Sequence, residues 1–402
     1  MKPTVASFRL AETVETCYGC TQCAHFCPFY PALFTVLEKE SDIQKGNWFE
    51  GADAIIDLCY DCKLCVAACP FDKDLPHDLL MVKSENAAIR GRSLIGTLFS
   101  QLGRVQVWGS RLSPFVNFLL QNPVSRRLLE RVVGLHRQRI MPIFYRKTFQ
   151  SWFKSRKKER PARTSGRKVA YFHGCFTNYH RPEEGIAAVR ILEKNGITVV
   201  LPKQVCCGLP RVSEGDLEGF RNYDRNVSYL EPWIDAGYDI VVTSVPCSLT
   251  LKKEVPKYSG SPAAVKVASR TYDISEYLLK LLRENELVLP DREVRESIAY
   301  HVACHLKAQE MGYPGYELLK LVPGVTRQLI DRGCCGLAGT SGYHKEGFDL
   351  AQKIGAPMIE SVASSRATLA ASDCPKCNIQ IRQGTGVAAV HPLEIFVRGY
   401  GL

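Results

Sequence analysis

The sequence predicts a multidomain α+β fold with a helical amino-terminal module, a basic amphipathic helical linker and two repeated α/β domains with parallel sheets. Three observations support this prediction. Two cysteine runs of the form CxxCxxCxxxCP lie near the amino terminus, a strongly basic and apolar segment follows them, and the remainder of the 402 residues reads as two copies of one strand and helix pattern.

The number of cysteines limits the classes of protein to which the chain can belong. The chain has 17 cysteines, an odd number that a disulfide framework cannot pair completely. The amino-terminal residues "MKPTVASFRLAETVE" have no apolar core of the length that secretion requires, so we expect a reducing cytosolic environment, where clustered cysteines are more often metal ligands or redox groups. With 46% apolar residues, the composition is that of a globular chain of two or three domains rather than a disordered one.

The two cysteine runs, "CYGCTQCAHFCP" and "CYDCKLCVAACP", have the spacing of two-cluster ferredoxins, in which the last cysteine of each run ligates the other cluster. The first cubane [4Fe-4S] cluster is therefore assigned to Cys17, Cys20, Cys23 and Cys69, and the second to Cys59, Cys62, Cys65 and Cys27. A pair of structural zinc sites is the alternative, although zinc favours separated CxxC pairs. Helical spacing in "PALFTVLEKE" and "GADAIIDLC" predicts a helical dicluster ferredoxin-like module.

The segment after residue 85 is basic and apolar. Residues 86–168 contain 19 Lys or Arg against two acids, a local charge of +17, although the whole chain carries only +11. The longest uncharged run, residues 112–125, has 14 residues and two prolines, whereas a transmembrane helix needs about 20 apolar residues, so we expect no span. The composition favours a surface that lies on a membrane or a partner, with packed amphipathic helices and nucleic-acid binding as the alternatives.

An internal repeat begins at Arg167. The first copy reads "RKVAYFHGC", then "RPEEGIAAVRILEKNG" and "QVCCG"; the second reads "ESIAYHVAC", then "YPGYELLKLVPG" and "DRGCCG". Each copy then continues through a second helical stretch to a β-rich run that ends in cysteine, "IVVTSVPC" or "ATLAASDCPKC". Short apolar runs that alternate with helices predict parallel sheets, with the cysteines at the carboxyl ends of the strands.

Each copy carries its own set of potential metal ligands. The first copy offers Cys175, Cys206, Cys207 and Cys247, and the second offers Cys304, Cys334, Cys335, Cys374 and Cys377. Adjacent cysteines can bind two irons of one cluster, and the glycine that follows each pair, Gly208 or Gly336, is expected to let the backbone approach the inorganic core. In the first copy, four sulfurs could equally hold a tetrahedral zinc ion.

These motifs carry a resemblance to known families. "FHGC…CCG…C" and "YHVAC…CCG…CPKC" resemble the CCG domains of the heterodisulfide reductase catalytic subunit, and nearly the whole chain resembles the iron-sulfur subunit family of anaerobic glycerol-3-phosphate dehydrogenase. The chain is also similar, less closely, to iron-sulfur subunits of glycolate and lactate oxidation complexes. The resemblance implies a non-cubane [4Fe-4S] cluster on Cys304, Cys334, Cys335, Cys374 and Cys377. The first copy departs from this pattern, because Ser248, Leu249 and Thr250 follow Cys247 and a fifth ligand is absent.

Three histidines, His173, His301 and His305, lie close to the first cysteine of a copy and could ligate iron or relay a proton, or bond a sulfur as neighbours of the cluster. His25 is expected at the solvent edge. No GxGxxG motif lies between a strand and a helix, so a flavin or nicotinamide is expected on another chain.

The resemblance implies an electron-transfer subunit that takes electrons from an FAD-containing dehydrogenase subunit acting on glycerol 3-phosphate and passes them to a membrane quinone. We expect the two cubane clusters to act as relays and the carboxyl-terminal centre to lie at one end of the path. A disulfide reductase that uses the non-cubane cluster, and a cluster-bearing sensor or scaffold, are the alternatives.

The expected domains are a dicluster domain over 1–90, the basic membrane- or partner-facing segment over 91–166, and CCG domains over 167–285 and 286–402. The expected location is peripheral, on the cytoplasmic face of the cell membrane.

Overall fold

The computed structural model describes residues 5–27, 29–31, 56, 59, 61–156, 165–337 and 339–402. Within these ranges the chain forms two four-stranded parallel sheets surrounded by helices, preceded by a helical module and a helical basic segment. The predicted α+β multidomain fold class is confirmed.

The two sheets have the same construction. The strands of the first are β1 (Lys168–Phe172), β2 (Thr198–Val200), β3 (Asp239–Val242) and β4 (Thr271–Asp273). Those of the second are β5 (Glu296–His301), β6 (Val325–Ile330), β7 (Leu369–Ala371) and β8 (Ala389–Val390). Their orders are β2-β1-β3-β4 and β6-β5-β7-β8, and every pairing is parallel. The internal repeat predicted from the sequence is therefore a structural repeat.

Helices connect and cover the strands, as parallel pairing requires. In the first repeat they are Gly174–Tyr179, Pro182–Lys194, Leu209–Val212, Phe220–Asp235, Val245–Leu249, Val255–Ser259, Pro262–Ser269 and Ile274–Arg283. A π-helical turn, Thr250–Glu254, and a 3-10 turn, Leu217–Gly219, complete this set. In the second repeat the helices are Cys304–Lys307, Pro314–Leu319, Phe348–Ser364, Pro375–Thr385 and Pro392–Gly399, with a 3-10 turn at Ser341–Tyr343.

Local sequence explains where these helices begin. Pro182 occupies the first turn of its helix, where its missing N–H costs nothing, and Glu183 and Glu184 follow it, as predicted. The helix Ile274–Arg283 starts with a capping box between Asp273 and Glu276.

The two repeats share their cores. Strand residues such as Val169 and Ile298 are fully buried, because helices lie on both faces of each sheet. One apolar cluster combines Tyr277 of the first repeat with Leu318 and Phe396 of the second. The repeats therefore pack as one body, which brings the carboxyl ends of their strands toward each other.

The amino-terminal module contains the helices Val5–Cys20, Leu64–Ala67 and Leu75–Arg90 and a 3-10 turn at Gln22–His25. Its core includes Leu10, Val14, Leu79 and Val82, which lie on the facing sides of the two long helices. The two further helical stretches predicted at residues 31–40 and 51–59 lie almost entirely outside the described residues.

The basic segment forms the helices Leu94–Ser100, Leu102–Arg111, Ser113–Gln121, Pro123–Val133 and Phe149–Ser155. Its inner side packs on both repeats: Phe149 is fully buried in the core of the first, and the guanidinium of Arg139 donates hydrogen bonds to Gly342 O (2.8 Å) and Gln380 Oε1 (2.6 Å) of the second. The packed-helix interpretation is therefore correct for the inner side.

The outer side of the segment exposes large apolar side chains. We call it the outer apolar face; its members are Trp108, Leu112, Phe115, Phe118, Val124, Leu128 and Val132. Exposed arginines accompany them, and the Arg111 guanidinium lies 5.2 Å from the ring centre of Trp108. Among the described helices, none is long and apolar enough to cross a bilayer.

Arg139 should be a main anchor of the basic segment. Replacing it by Ala leaves Gln380 and the Gly342 carbonyl without their partner, and hydrogen bonds to a charged group contribute roughly 1.5–3 kcal/mol. We expect Arg139→Ala to lower the free energy of unfolding by about 2 kcal/mol, measured by denaturant unfolding, whereas Arg127→Ala at an exposed position of the same segment should change it little. Equal midpoints for the two variants would show that this anchor is not important.

Candidate iron-sulfur sites

The cysteines of both repeats follow the carboxyl ends of strands. Cys175 and Cys304 come directly after β1 and β5, the Cys-Cys pairs come after β2 and β6, and the last cysteines follow β3 and β7. This is the edge at which open parallel sheets present their sites. One detail differs from the prediction: Cys247 and Cys377 lie in the first turn of a helix rather than at the end of a β-rich run.

In the first repeat the four thiols form one group, which we call the first-repeat set. Cys206 Sγ lies 3.6 Å from Cys175 Sγ and donates to it, which lowers the pKa of Cys175. Close contact with the side chains of Cys206 and Cys247 lowers the pKa of Cys207, which is itself buried. The four thiols therefore form a row of contacts, from Cys175 to Cys206, from Cys206 to Cys207 and from Cys207 to Cys247.

The second-repeat set, Cys304, Cys334, Cys335, Cys374 and Cys377, repeats this arrangement with one more member. Close contact with the side chains of Cys334 and Cys377 lowers the pKa of Cys335, and close contact with Cys377 lowers that of Cys374. Cys334 also contacts Cys304. Cys335 thus has the role in this set that Cys207 has in the other.

The helix caps of the two repeats show which cysteine position the first repeat lacks. Cys374 caps the helix Pro375–Thr385 and Cys377 lies three residues further on; Ser244 caps the helix Val245–Leu249 and Cys247 lies three residues further on. Cys247 is therefore the counterpart of Cys377, and Ser244 replaces Cys374. The sequence interpretation, which placed the missing ligand after Cys247, is wrong: the first repeat has a Ser-x-x-Cys motif, not a truncated Cys-x-x.

Neighbouring backbone atoms explain why a glycine follows each Cys-Cys pair. Gly208 and Gly336 have φ of +96° and +83°, and a Cβ on them would lie 2.7 Å from Gly219 O and 2.0 Å from Ala351 O respectively. Close approach of a neighbouring chain segment, together with the left-handed conformation, requires glycine at both positions.

The thiols of the amino-terminal module also form two groups. Burial raises the pKa of Cys17 to about 12, and the charges of Cys23, Cys69 and Cys20 add to the shift. All four line one small cavity. We call this group the outer set.

Cys27, Cys59, Cys62 and Cys65 form the inner set. Burial raises the pKa of Cys59 to about 12, with Cys27 among the contributing charges, and it raises the pKa of Cys65 with contributions from Cys59, Cys23 and Cys27. The last cysteine of each run is thus close to cysteines of the other run, and the two groups adjoin through Cys23 and Cys27. The cross-paired ligand assignment stays a prediction.

The chemistry of these groups fits iron-sulfur clusters. Buried thiols whose pKa values are raised by desolvation and by one another are poor thiolates on their own, whereas coordinated metal stabilises the deprotonated form. In the described part of the chain no three His, Cys, Asp or Glu side chains are arranged around a single metal ion. A multi-iron cluster does not need its ligand sulfurs to surround one point, because the sulfurs bind different irons.

A buried ion network fixes the inner set against the first repeat. The Lys63 ammonium, next to Cys62 in the chain, lies 3.3 Å from carboxylate oxygens of Asp61, Asp74 and Glu254. Burial opposes the charged form, but the three carboxylates raise the pKa of Lys63 well above its usual range. Lys257 adds a second cation, 2.6 Å from Asp74. Sequence analysis missed this network because its members come from separate segments.

The second-repeat set adjoins the inner set and the first repeat. Cys62 of the inner set is next to Cys304 of the second-repeat set, whose charge adds to burial in raising the pKa of Cys62. The loops that carry Cys374 and Ser244 touch, since Val245 N–H donates to Asp373 O at 3.4 Å. The expectation that the carboxyl-terminal centre lies at one end of the electron path stays a prediction.

Lys376 lies where the two repeats meet. Its ammonium donates to Gly339 O, and its charge helps to lower the pKa values of Cys207 and Cys374, one thiol from each repeat. A single cation thus acts on both sets.

The described histidines do not bond to sulfur. His305 Nε2 is 3.0 Å from Asp61 O and so links the second repeat to the inner set. His173 Nδ1 donates to Gly174 O, and burial lowers its pKa to about 4. Neither ring nitrogen of the fully buried His301 has a hydrogen-bond partner among the described residues, and its ring is close enough to Cys335 for their charges to interact. His25 is exposed, as expected.

A large apolar cavity of about 630 Å³ adjoins the first-repeat set. Its inner end is lined by Cys175, Cys207 and Cys247, and its walls come from the helices of the basic segment. Nothing in the local sequence pattern predicted it, because it forms between elements that are distant in the chain.

Comparison with known proteins agrees with this arrangement. A 4Fe-4S dicluster domain matches residues 13–73, and a cysteine-rich domain named CCG matches twice, at residues 169–252 and 298–382. Each CCG match includes the first three strands and the Cys-Cys pair of a repeat.

Relatives extend the likeness beyond single domains. The chain is 28% identical over 247 residues to a subunit of the fumarate reductase (CoM/CoB) of Methanothermobacter marburgensis (58% of this chain, 47% of that one). It is 27% identical over 246 residues to lactate utilization protein A of Bacillus cytotoxicus (57% and 98%). It is 30% identical over 310 residues to a subunit of the anaerobic glycerol-3-phosphate dehydrogenase of Escherichia coli (strain K12), covering 74% of this chain and 76% of the relative. With these domains and this coverage, the chain is an iron-sulfur protein and belongs to the family of that subunit of anaerobic glycerol-3-phosphate dehydrogenase.

Proposed function

We propose that the chain is the electron-transfer subunit of a respiratory dehydrogenase complex. An FAD-containing partner subunit oxidises glycerol 3-phosphate, or a similar substrate such as a 2-hydroxy acid, and this chain passes the electrons to the membrane quinone pool. The observation that supports the proposal is that the cysteine groups adjoin one another, with Cys62 of the inner set next to Cys304 of the second-repeat set and Val245 of the first repeat bonded to Asp373 of the second.

Each group is proposed to hold one metal centre. The outer and inner sets hold cubane [4Fe-4S] clusters, and the five thiols of the second-repeat set hold a non-cubane [4Fe-4S] cluster. The first-repeat set holds a further iron-sulfur cluster, with zinc as the alternative. Iron-sulfur clusters supply one-electron transfer with potentials set by hydrogen bonding and exposure.

The residues around the sets have distinct tasks in this proposal. Lys376 brings positive charge close to Cys207 and Cys374, which favours the charged form of these thiols. Lys63 is paired with carboxylates of the inner set and the first repeat and holds these two parts together. The helix Pro375–Thr385 presents its amino terminus to Cys374 and Cys377, adding a favourable dipole. The apolar packing around Cys335 and Cys377 excludes water from the most buried set.

The outer apolar face supports a peripheral position on the membrane, proposed here to be its cytoplasmic side. Phe115, Phe118 and Leu128 project from neighbouring helices with Arg127 and Arg131 beside them. Apolar side chains enter the interface while the arginines meet anionic headgroups. The domain division at residues 90, 166 and 285 follows the same reasoning, with the segment 91–166 as the membrane-facing unit.

Electron delivery to quinone can be tested by reoxidation. The full chain with its clusters is reduced with dithionite under anaerobic conditions and mixed with a water-soluble quinone or with an organic disulfide. Rapid return of the cluster absorbance with the quinone alone supports the relay. Return with the disulfide alone would instead make the chain a disulfide reductase.

The assignment of non-cubane character to the five-cysteine set predicts the effect of exchanging one residue between repeats. Cys374→Ser should abolish the non-cubane EPR signal while both cubane signals remain. Ser244→Cys should give the first repeat a fifth thiol and create a second signal of the non-cubane kind.

The control for this exchange is Ser248→Cys, which lies beyond Cys247 on the same helix, is fully buried, and should leave the spectra unchanged. Loss of every signal in Cys374→Ser would contradict the independence of the centres. An unchanged first-repeat signal in Ser244→Cys would contradict the equivalence of Ser244 and Cys374.

Membrane contact through the outer apolar face predicts a loss of vesicle binding when its aromatic side chains are removed. The double variant Phe115→Ser, Phe118→Ser should bind vesicles of mixed neutral and anionic lipid more weakly by on the order of a hundredfold in flotation assays, because each buried Phe contributes up to about 1.5–3 kcal/mol. Val265→Ser, at an exposed apolar position of the first repeat, is the control. Equal flotation of the double variant and the control would rule out this contact surface.

A further inference from the structure

The large cavity beside the first-repeat set connects two features that are otherwise unrelated. At its inner end are the thiols of Cys175, Cys207 and Cys247; at its other end are Leu98, Trp108 and Leu112, which line the cavity and are also among the exposed apolar side chains. The space therefore runs from a metal-ligating group of cysteines to the outer apolar face, and it is not confined to the room that a metal centre needs.

The walls of the cavity are mostly apolar. Most of the lining is aliphatic or aromatic, and the lining includes no carboxylate among the described residues. A volume of about 630 Å³ is in the range of sites for drug-sized ligands, which are typically apolar with a few placed polar groups. Arg104 and Lys376 are the charged side chains of the lining, and the remaining walls suit an apolar molecule that carries hydrogen-bond acceptors.

The few polar groups lie at the inner end. Gln106 is only 2% exposed, its Nε2 lies 3.4 Å from His180 Nε2, and its Oε1 has no hydrogen-bond partner among the described residues. His180 Nδ1 bonds Ile143 O, which leaves its Nε2 to accept from Gln106. A buried carbonyl oxygen without a partner is costly, so a ligand that donates a hydrogen bond here is favoured.

Hydrogen-bond donors are present in the same region. Lys376 and Ser244 both line the cavity, next to Cys207 and Cys247. An ammonium and a hydroxyl can donate to carbonyl oxygens, whereas Gln106 Oε1 can accept from a hydroxyl. The site is thus able to bind both the carbonyl and the hydroxyl form of one ring system.

We propose that this cavity binds the head group of a lipid-soluble quinone, with its isoprenoid tail leading out past Trp108 and Leu112 to the membrane. The inference rests on the proposed function and names its acceptor site. The quinone takes up two electrons, which originate in the reduced flavin of the partner dehydrogenase, and two protons from solvent, and leaves as quinol. No covalent bond to the protein forms.

The test uses the full chain with its clusters and an azido-ubiquinone with a decyl tail. After illumination, labelled peptides are identified by mass spectrometry, with and without excess unlabelled decylubiquinone. The label should lie in peptides that line the cavity, within residues 98–120 or next to Cys175 or Pro246, and the competitor should remove it. Labelling elsewhere, or labelling that the competitor does not reduce, overturns the proposal.

A pair of substitutions on one helix sharpens the test. Val105 lines the cavity and Val107 does not, although both are half-buried on the helix Leu102–Arg111. Val105→Phe should fill the space and reduce labelling by roughly tenfold, about 1.4 kcal/mol, whereas the corresponding Phe substitution at Val107 should leave it unchanged. Equal labelling of the two variants overturns the proposal; should Val105→Phe not fold, the peptide map of the unsubstituted chain decides.

The reoxidation experiment distinguishes the two levels of inference. Rapid reoxidation by quinone with the label outside the cavity rejects the site and leaves the electron-transfer function intact. Specific labelling of the cavity without reoxidation supports the site and rejects quinone as the electron acceptor of this chain.

Discussion

Bringing thiols together in buried groups is the constraint on which the rest of this structure depends. Each group gathers four or five sulfurs, and burial opposes their deprotonation: it raises the pKa values of Cys17, Cys59 and Cys62, and neighbouring cysteines add to these shifts. Without compensation such groups resist deprotonation and repel one another once charged. The fold supplies compensation from the amino terminus of the helix Pro375–Thr385, from Lys376, and from the close sulfur contacts that lower the pKa values of Cys207 and Cys335. Coordinated iron supplies the remainder in our account.

The two repeats gather their thiols with the same arrangement of strands and turns, but they differ at one ligand position. Both sheets have the same strand order, and both place a Cys-Cys-Gly turn where backbone contact excludes any side chain on the glycine. The second repeat keeps a cysteine at the helix cap, Cys374, and is packed tightly around its set. The first has Ser244 at that position, and a cavity takes the place of close packing. The repeat that has no fifth thiol is therefore also the one whose cysteines border a cavity that a ligand can enter.

Local sequence predicted the parts whose information is local. The spacing of the two amino-terminal runs predicted the dicluster domain, and alternation of apolar runs with helices predicted parallel sheets with cysteines at their carboxyl edge. Ser244 could have been found by reading three residues back from Cys247, as the Cys374 to Cys377 spacing suggests. The proximity of the groups, the Lys63 network and the cavity depend on contacts between distant segments, such as Val245 with Asp373, and no pattern within one segment carries that information.

The central claim is that all four cysteine groups form one electron-transfer series built on iron-sulfur clusters. Iron, sulfide and zinc analysis of the anaerobically purified chain, combined with EPR through a redox titration, tests it most directly. The account predicts about twelve irons or more per chain, with two cubane signals and at least one distinct non-cubane signal. About eight irons with stoichiometric zinc would contradict it, because one or both repeats would then be structural and electrons would pass through the amino-terminal module alone.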